Sequence, residues 1–255
     1  LVCVCSPMRS EQAEDIKKII RQGKHVYAEK PCVMKEEDLD EILESAREHH
    51  VIFCEMAGCM FERPYNKAKE LAASGILGKI VQIFVQKSYP YADFRPQDEN
   101  LDGGLILQNA IYGARFVEHI AGVKIKKITN ALETSLGNPK EGDLKMATSL
   151  QMELENGGSA SVIANYLNQP GTKVWGNEEL RIFGTKGYLR TNVADASVDV
   201  YMGEEHLHFE STPESSLFSR LVTSIQKQED FPYEAEYLTH PTRMVIRAKR
   251  GIAHE

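Results

Sequence analysis

The apolar positions in the first part of the chain follow two alternating patterns. Short continuous apolar runs at residues 1–5, 26–28 and 51–54 are typical of parallel strands buried on both faces. Between them, residues 11–22 and 35–48 repeat apolar side chains every three or four positions, which predicts amphipathic helices. Strands and helices that alternate with short connections predict βαβ units in a parallel sheet.

A different pattern begins near residue 79. Residues 80–88 alternate between apolar and polar side chains, as a half-buried antiparallel strand does. Residues 105–121 are apolar on most sides and predict a buried helix, which follows the polar loop 89–101. Turn residues then separate a series of strands, which predicts a mostly antiparallel sheet. The predicted strands are residues 125–133, 146–153, 159–166, 179–183, 187–191, 197–201 and 206–209, and further helices are predicted at 63–74, 214–227 and 241–250.

The fold class that these patterns predict is α/β plus α+β. A partial parallel sheet is followed by a large, mostly antiparallel sheet domain with covering helices. A chain of 255 residues with 42% hydrophobic and 26% charged residues is an ordinary globular composition. The net charge of -7 argues against a nucleic-acid partner, and no apolar run approaches the roughly 20 residues that span a bilayer. We therefore expect a cytoplasmic protein without a signal peptide, a membrane segment or a nucleic-acid site.

The cysteines favour the same compartment. They are five, an odd number, and Cys3, Cys5 and Cys54 lie in apolar strand-like runs. We interpret them as reduced core residues and not as a disulfide framework. A zinc site would need closely spaced pairs such as C-x2-C, which Cys3-Val4-Cys5 does not form, and His206 with His208 lacks a third ligand, so no metal site is predicted.

The segment Glu29-Lys30-Pro31 is the first candidate for chemistry. It ends the predicted strand at residues 26–28, and ligands of open α/β sheets bind at the carboxyl ends of the strands. Pro31 restricts Lys30 to extended geometry and ends the strand in a defined turn, with a cis peptide bond as one option. A solvated charge pair at a strand end is the alternative interpretation.

The parallel part is shorter than a complete dinucleotide-binding domain. Such a domain has about six strands, whereas residues 1–54 predict three. The glycine-rich turn G-x-G-x-x-G does not occur in the sequence. We expect one of three explanations: the first half of the domain has been lost, it never belonged to this polypeptide, or the gene model or proteolysis has shortened the chain.

Several short motifs occur in a specific order along the chain. They are Ser6-Pro7 after the first strand, Gly23-Lys24-His25-Val26 leading into Glu29-Lys30-Pro31, Gly75-Ile76-Leu77-Gly78-Lys79-Ile80, Gly103-Gly104 before the buried helix, and Gly184-Thr185-Lys186-Gly187 in the sheet. In this order they resemble the Gfo/Idh/MocA family of NAD(P)-dependent oxidoreductases, which act mostly on sugars, inositols and related alcohols. The resemblance extends over essentially the whole chain, from the family's fourth Rossmann strand onward, so the N-terminal half of that domain is lacking.

The resemblance implies a two-domain enzyme. Residues 1–58 would be the C-terminal half of a Rossmann-like domain, and residues 59–255 the substrate-binding and oligomerisation domain. The cofactor would be NAD or NADP, and the open sheet would form a homodimer or tetramer interface. Lys30 would donate a hydrogen bond to the hydroxyl that is oxidised and stabilise the developing alkoxide. Ser6, Pro7, Met8 and Glu29 would contact the nicotinamide side of the cofactor, together with Lys30.

The buried helix departs from the family's common motif G-G-x-x-x-D-x-G-x-H. Gln108 stands at the aspartate position and Tyr112 at the histidine position, which resembles the branch with glucose-fructose oxidoreductase and dimeric dihydrodiol dehydrogenase. The four-residue spacing places both on one helix face. Tyr112 is the candidate acid/base, and Gln108 and Asn109 are candidates for substrate contact. A histidine that often follows the proline of the first motif is replaced by Glu11.

The loop and the sheet supply further candidates for substrate binding. Arg95 and Tyr91, in the loop before the buried helix, could bind a polyol or an acidic substrate, and solvated loop residues are the alternative. Trp175, the one tryptophan, could line the pocket or simply pack.

Two functions follow from these residues. The first is hydride transfer between a nicotinamide cofactor and a hydroxyl of a sugar, polyol or related alcohol, with Lys30 polarising the oxygen and Tyr112 handling the proton. The alternative is a truncated or degenerate, non-catalytic member of the family that acts as a sugar-binding or dimerisation module.

Overall fold

A computed structural model describes residues 1–252 and contains two sheets in that part of the chain. The first is a parallel sheet in the order β1-β2-β3, and the second has eight strands and is mostly antiparallel. The predicted fold class is confirmed. The predicted boundary at residue 58 remains a prediction, and residues 253–255 of the predicted second domain lie outside the described residues. The small sheet consists of β1 (Val2–Val4), β2 (Val26–Ala28) and β3 (Phe53–Glu55), connected by helices α1 (Arg9–Arg21) and α2 (Glu36–Glu48).

The apolar stripes of α1 and α2 cover one side of this sheet. Ile16 and Ile20 of α1 and Leu39 and Ile42 of α2 are fully buried. Because the helical repeat brings every third or fourth residue to one face, each helix buries a continuous stripe. Lys17 of α1 is buried as well and pairs with Asp38 of α2 at 2.7 Å. Both helices therefore lie where the sequence predicts them, within two residues at their ends.

The prediction of a first strand buried on both faces was wrong. Val4 is buried, whereas Cys3 and Cys5 on the opposite face are exposed. Phe218 covers that face at Tyr27, with the ring centroids 5.0 Å apart, but β1 lies at the edge of the described sheet and stays uncovered. The apolar run is therefore not a core run, although Cys54 is buried as predicted.

The large sheet has the order β11-β10-β9-β8-β4-β7-β6-β5. Its central strand β4 pairs antiparallel with β8 and parallel with β7. The prediction of an antiparallel strand for residues 80–88 is therefore correct on one side only, because the chain leaves the sheet after β4 and returns through a buried helix. The strands are β4 (Ile80–Ser88), β5 (Ile125–Thr134), β6 (Ala147–Leu154), β7 (Ser159–Asn165), β8 (Asn177–Gly184), β9 (Tyr188–Asn192), β10 (Ser197–Met202) and β11 (Glu205–Glu210).

The buried helix lies across the strands next to β4. We call it α4; it consists of a central α-helical turn, Ile111–Arg115, between two wider π-helical segments, Ile106–Ala110 and Phe116–Ile120. Its extent agrees with the prediction, but its winding does not, and such wide turns are frequent at functional sites. A Cβ at Gly113 would lie 2.3 Å from Val162, so the glycine allows α4 to approach β7 closely.

Three further helices complete the fold. The last one begins at Ala235, not at Pro241 as predicted, and contains Pro241 within its first two turns. Its Arg243 donates to Glu36 of α2 at 3.0 Å, which joins the end of the chain to the small sheet's helices. No helix of the described residues is both long and apolar enough to cross a membrane. The helices are α3 (Tyr65–Ala73), α5 (Leu217–Lys227) and α6 (Ala235–Ile252).

Candidate active site

Lys30 reaches from the end of β2 to the start of α4. Its Nζ donates to the backbone oxygen of Gln108 at 2.6 Å and to the side-chain Oε1 of Gln108 at 3.0 Å. The Gln108 amide is itself oriented, because its Nε2 donates to the carbonyl of Asp102 at 2.7 Å. The Lys30–Pro31 peptide bond is cis. The structure therefore brings together two residues that are 78 positions apart in sequence and that were both predicted as site residues.

The charge of Lys30 is held in an unusual environment. Burial is the main cause that lowers the pKa of its ammonium to about 8, against the opposing effect of Glu29. The positive charges of Arg115, Arg9 and Arg95 lower this pKa further. An amine with a pKa near neutrality can exchange a proton during turnover.

A buried glutamine fixes the loop that presents Lys30. Gln12 is fully buried, and its Nε2 donates to the carbonyls of Glu29 at 2.7 Å and Pro31 at 3.0 Å. Its Oε1 accepts from the backbone N–H of Ser6 at 3.1 Å. One side chain thus ties the Ser6 loop to the Glu29–Pro31 loop. Gln12 was not predicted as a site residue, although a polar residue on the apolar face of a predicted helix was a signal.

An ion pair between α4 and β3 also holds the loop that carries Lys30. Arg115 of α4 donates from Nη2 to Glu55 at the end of β3, at 2.7 Å, and both side chains are at most 1% exposed. Glu55 also accepts from the backbone N–H of Cys32 at 2.8 Å and from the hydroxyl of Thr242 at 2.6 Å. The pair joins α4, β3 and the loop after Pro31. A buried pair with these additional hydrogen bonds positions the elements that carry Lys30.

Tyr112 stands one helical turn after Gln108 and faces the same site. The Nζ of Lys30 lies 5.5 Å from the centroid of its ring. Burial raises the pKa of the phenol, while the charge of Arg115 and the hydroxyl of Tyr89 act in the opposite direction. Tyr112 is therefore a protonated phenol near neutral pH and can donate a hydrogen bond.

A second lysine lies against Tyr112 from the side of the large sheet. The Nζ of Lys87, in β4, is 4.1 Å from the Tyr112 ring centroid and 4.6 Å from that of Tyr89. Lys87 forms an ion pair with Glu178, which also accepts from the hydroxyl of Tyr65. Burial is the main cause that lowers the pKa of Lys87 to about 7; electrostatic interactions with Cys59 and Glu62 oppose this effect, and the positive charge of Lys30 adds to it.

Lys87 was not predicted as a site residue. Its side chain is only 3% exposed because position 87 continues the inward series Ile83 and Val85 of β4. A charged residue on the core face of a predicted alternating strand was the signal that could have identified it.

The loop before α4 places Arg95 among aromatic rings. Its guanidinium carbon lies 3.8 Å from the ring centroid of Tyr166 and 6.0 Å from that of Tyr89. Trp175 lies beside the same Tyr89, with centroids 6.4 Å apart, and is 61% exposed. The hydroxyl of Tyr91 is buried without a hydrogen-bond partner. Arg95 and Trp175 are therefore both close to the Tyr89 side of the site.

Asn109 lies differently from the other predicted substrate contacts. It is fully buried, and its Nδ2 donates to the carbonyls of Lys87 at 3.3 Å and Asn165 at 3.0 Å. These bonds attach α4 to β4 and β7. Contact between Asn109 and a substrate thus remains a prediction without support from its position.

The residues predicted for the cofactor lie together at the carboxyl edge of the small sheet. Ser6 donates its hydroxyl to Asp15 at 2.8 Å, while Pro7 and Met8 are exposed, Met8 at 39%. Glu29 accepts from the backbone N–H of Lys30 at 2.8 Å. Exposed apolar side chains next to an amine at this edge fit the nicotinamide end of a dinucleotide. Glu11, at the position of the family's common histidine, is exposed on α1.

The paired histidines of β11 do not form a metal site in the structure. His206 and His208 both contact Asp199, at 3.0 Å and 2.9 Å. Across residues 1–252, no group of three or more His, Cys, Asp or Glu side chains is placed to hold a metal ion.

Two family models match this chain. Residues 1–56 match the model described as an oxidoreductase family with an NAD-binding Rossmann fold. Residues 65–190 match the GFO/IDH/MocA C-terminal domain. Both candidate halves of the site, Lys30 and the start of α4, thus lie within matched segments.

Known proteins with related sequence or fold give the same picture. A myo-inositol 2-dehydrogenase of Thermotoga maritima is 25% identical over 204 residues, which are 77% of this chain and 58% of that enzyme. The chain spans between 32% and 58% of the curated relatives that it matches.

Solved structures extend the likeness to almost the whole chain. An oxidoreductase structure from Thermotoga maritima has a TM-score of 0.88 and 24% identity, covering 97% of this chain and 76% of that one. An Agrobacterium radiobacter oxidoreductase, solved with NAD+, L-tartaric acid and magnesium, has a TM-score of 0.83 at 13% identity, covering 99% and 78%. At these identities the likeness shows the fold.

Proposed function

We propose, from the premise that this chain belongs to the GFO/IDH/MocA family of NAD-binding oxidoreductases, that it transfers a hydride between NAD or NADP and a hydroxyl of a sugar, polyol or related alcohol. The observation that supports this most is the position of Lys30. Its amine lies at the carboxyl edge of the parallel strands, within 3.0 Å of the Gln108 side-chain oxygen and beside the Tyr112 ring. This is where a carbinol oxygen next to a bound nicotinamide would need a hydrogen-bond donor.

The cofactor end of the site would be formed by the loops after β1 and β2. A bound nicotinamide would supply the hydride acceptor or donor, and Ser6, Pro7, Met8 and Glu29 are the residues that would hold it. Gln12 keeps these two loops at a fixed separation through its bonds to Ser6 and Glu29. A fixed separation matters because hydride transfer depends strongly on the distance between donor and acceptor carbons.

Lys30 and Tyr112 would divide the work at the oxygen. Tyr112, with its raised pKa, stays protonated and donates a hydrogen bond to the substrate oxygen. Lys30, with a pKa of about 8, is the group that exchanges the proton: neutral Lys30 accepts it in alcohol oxidation, and protonated Lys30 returns it in the reverse direction. This assignment differs from the sequence-based expectation, in which Tyr112 handled the proton.

Gln108 would orient Lys30, and Lys87 would interact with the ring of Tyr112. Gln108 accepts from the Lys30 amine and so directs it, which is a role that a neutral amide can fill in place of the family's aspartate. Lys87 lies 4.1 Å from the Tyr112 ring centroid, where it would form a cation–π interaction with that ring.

A screen with and without Lys30 tests the function. The purified protein is assayed with NAD and NADP against sugars, polyols and sugar acids, next to Lys30→Ala. Turnover of at least one alcohol by the unmodified protein, abolished in Lys30→Ala, is the expected result. Turnover that survives in Lys30→Ala would remove Lys30 from the mechanism.

The non-catalytic alternative is not favoured. A sugar-binding or dimerisation module has no need for an amine with a lowered pKa next to a phenol, yet Lys30 and Tyr112 are brought together by a buried scaffold. If no alcohol is turned over with either cofactor while the protein stays folded, this alternative replaces the enzyme.

A homodimer or tetramer through the outer face of the large sheet is part of the proposal. Four rings stack across neighbouring strands on that face: Phe183, Tyr188, Tyr201 and His206, with centroids 5.2, 4.8 and 4.5 Å apart. Such a flat aromatic surface suits a second sheet. Light scattering of the protein and of Tyr188→Glu tests this, and a monomeric unmodified protein contradicts it. We also propose a cytoplasmic location, since all five cysteines are free.

A further inference from the structure

The cations of the candidate site fall into two groups. Lys87 and Arg115 are each paired with a carboxylate, Glu178 and Glu55. In contrast, none of the other three cations forms an ion pair with a carboxylate of the described residues; these are Arg9, Lys30 and Arg95. Arg9 and Arg95 both lie close enough to lower the pKa of Lys30.

Arg95 is the member of the unpaired group without a hydrogen-bond acceptor for its side chain. Arg9 donates to the backbone carbonyl of Lys30, and Lys30 donates to Gln108. The Nε of Arg95 is buried and has no partner in the part of the chain that the structure describes. A buried N–H without an acceptor is costly, so a ligand that supplies one is strongly favoured there.

Three aromatic rings lie around the guanidinium, and one of them is Phe94, whose centroid is 5.9 Å from the central carbon. Tyr166 lies 3.8 Å from its central carbon and is buried, and Tyr89 lies on the site side at 6.0 Å. A guanidinium that stacks on a ring keeps its N–H groups in its own plane and directed away from that ring. Stacking therefore orients Arg95 and leaves its donors available for a planar acceptor.

The carboxylates near Arg95 do not neutralise this group. Glu99 is paired with Lys249 at 2.6 Å. Burial raises the pKa of Asp102, whose Oδ1 accepts from the backbone N–H of Gly104 at 2.9 Å. Glu29 accepts from the backbone N–H of Lys30. While Lys30 is protonated, the cations Arg9, Lys30 and Arg95 outnumber Glu29 and Asp102 by one. Whether or not Lys30 is protonated, Arg95 forms no ion pair with a carboxylate of the described residues.

We propose that the substrate carries one carboxylate, as a sugar acid does, and that Arg95 binds this group while the reacting hydroxyl lies at Lys30. The proposal rests on the function proposed above. A planar carboxylate matches the two parallel donors of a guanidinium, and it balances a single excess charge. Neutral sugars could offer Arg95 only an uncharged hydroxyl oxygen, which is a weaker acceptor than a carboxylate, and would bind more weakly.

Matched pairs of acidic and neutral sugars test the proposal. D-Glucuronate against D-glucose and D-galacturonate against D-galactose are compared as substrates of the unmodified protein, Arg95→Lys, Arg95→Gln and the control Arg181→Gln. Arg181 also lies over a ring, Phe84 at 5.8 Å, but on β8 and paired with Glu179. We expect the unmodified protein and Arg181→Gln to favour an acid over its neutral partner by about tenfold or more in kcat/KM.

The variants of Arg95 should lose this preference and little else. Arg95→Gln should raise KM for the acid about tenfold to hundredfold with kcat almost unchanged, because a charge-assisted bidentate contact is lost. Arg95→Lys, which keeps the charge without the planar fork, should fall between the two. Equal losses for acid and neutral substrates in a correctly folded Arg95→Gln would overturn the proposal, as would a preference for a sugar phosphate over the sugar acid.

Direct binding separates this proposal from the proposed function. Calorimetric titration of D-glucuronate into the protein measures binding without turnover. Binding that is lost in Arg95→Gln, with no turnover of any alcohol, supports the acid site and contradicts the oxidoreductase. Turnover confined to neutral sugars supports the oxidoreductase and contradicts the acid site, and so does absence of acid binding by the unmodified protein.

Discussion

Tyr112 lies between two lysines that the two sheets supply in different ways. Lys30, from the small sheet, has only the uncharged oxygens of Gln108 against its amine. Lys87, from the large sheet, is buried and paired with Glu178. The first lysine can bind a new acceptor or release its proton, whereas the second has a fixed partner. The same residue type thus has no carboxylate partner in one region and a paired, structural position in the other.

The supports of the two regions differ accordingly. The Lys30 loop is held by hydrogen bonds from Gln12 to backbone carbonyls, which position the chain, while the amine itself donates only to the uncharged oxygens of Gln108. Lys87 stands on the central strand of the large sheet, so its backbone is fixed on both sides by β7 and β8. A reacting lysine needs a rigid backbone and an amine without a carboxylate partner, and Lys30 has both.

Removal of the free lysine should have the largest effect on activity. Lys30→Met is expected to lower kcat/KM about a thousandfold, roughly 4 kcal/mol, because the donor at the developing alkoxide is lost. The free energy of unfolding should change by less than about 1 kcal/mol, because the variant loses only the two hydrogen bonds from the Lys30 amine to Gln108, and the side chain is half-buried. Lys35→Met, at an exposed position five residues away, is the matched control and should behave like the unmodified protein.

Removal of the paired lysine should act first on stability. Lys87→Met is expected to lower the free energy of unfolding by about 3 kcal/mol, because Glu178 is left buried without its partner. The double variant Lys87→Met with Glu178→Gln should recover a large part of this loss, since no uncompensated charge remains. Denaturant titration measures both, and an unchanged midpoint in Lys87→Met would mean that the pair does not stabilise the fold.

Loss of the phenol between the lysines should cost less than loss of Lys30. Tyr112→Phe keeps the ring and its contacts with both ammonium groups but removes the hydroxyl. We expect kcat to fall about a hundredfold, within the usual range for a group that assists at a reacting oxygen. Steady-state kinetics at saturating cofactor measures this effect. A kcat equal to that of the unmodified protein would assign Tyr112 to packing.

The smallest expected effect, about tenfold for one pH unit, is the change of rate with pH. The pKa of Lys30 is lowered to about 8. Below this value, the fraction of Lys30 that is neutral increases about tenfold for each unit by which the pH rises; above it, the fraction becomes constant. The kcat/KM for alcohol oxidation should therefore rise up to about pH 8, and that for the reverse reduction should fall above it. A flat oxidation profile between pH 6 and 9 would contradict a proton transfer by Lys30.

Much of the site was predictable where local pattern determines position. The motif order identified the family, which the family models confirm. Lys30 was predicted from its place at a strand end together with the family resemblance. Gln108 and Tyr112 were predicted from the positions that they hold in the family's motif, whose four-residue spacing puts both on one helix face. The structure adds that Lys30 and Gln108 are in contact, which neither motif alone implies.

The residues that were missed are those whose role depends on a partner far along the chain. Gln12 bonds to loops 17 and 19 residues away, Arg115 to Glu55 at 60 residues, and Tyr65 to Glu178 at 113. In each case the side-chain chemistry was visible, but the sequence does not state which strands are neighbours. The exposed cysteines of β1 were mispredicted for the same reason, since an edge strand and a central strand have the same apolar pattern.

Local sequence by itself determined the elements, the two lysine-bearing strands and the helix face with Gln108 and Tyr112, because these depend on repeats of two and 3.6 residues. Only the tertiary structure decided which charges are paired and which are free. Pairing depends on strand order, here β8-β4-β7, which sets Glu178 opposite Lys87 and leaves Lys30 and Arg95 without a carboxylate. The Glu29-Lys30-Pro31 motif thus predicted a candidate ligand site, and the fold decided which of the two lysines lacks a carboxylate partner.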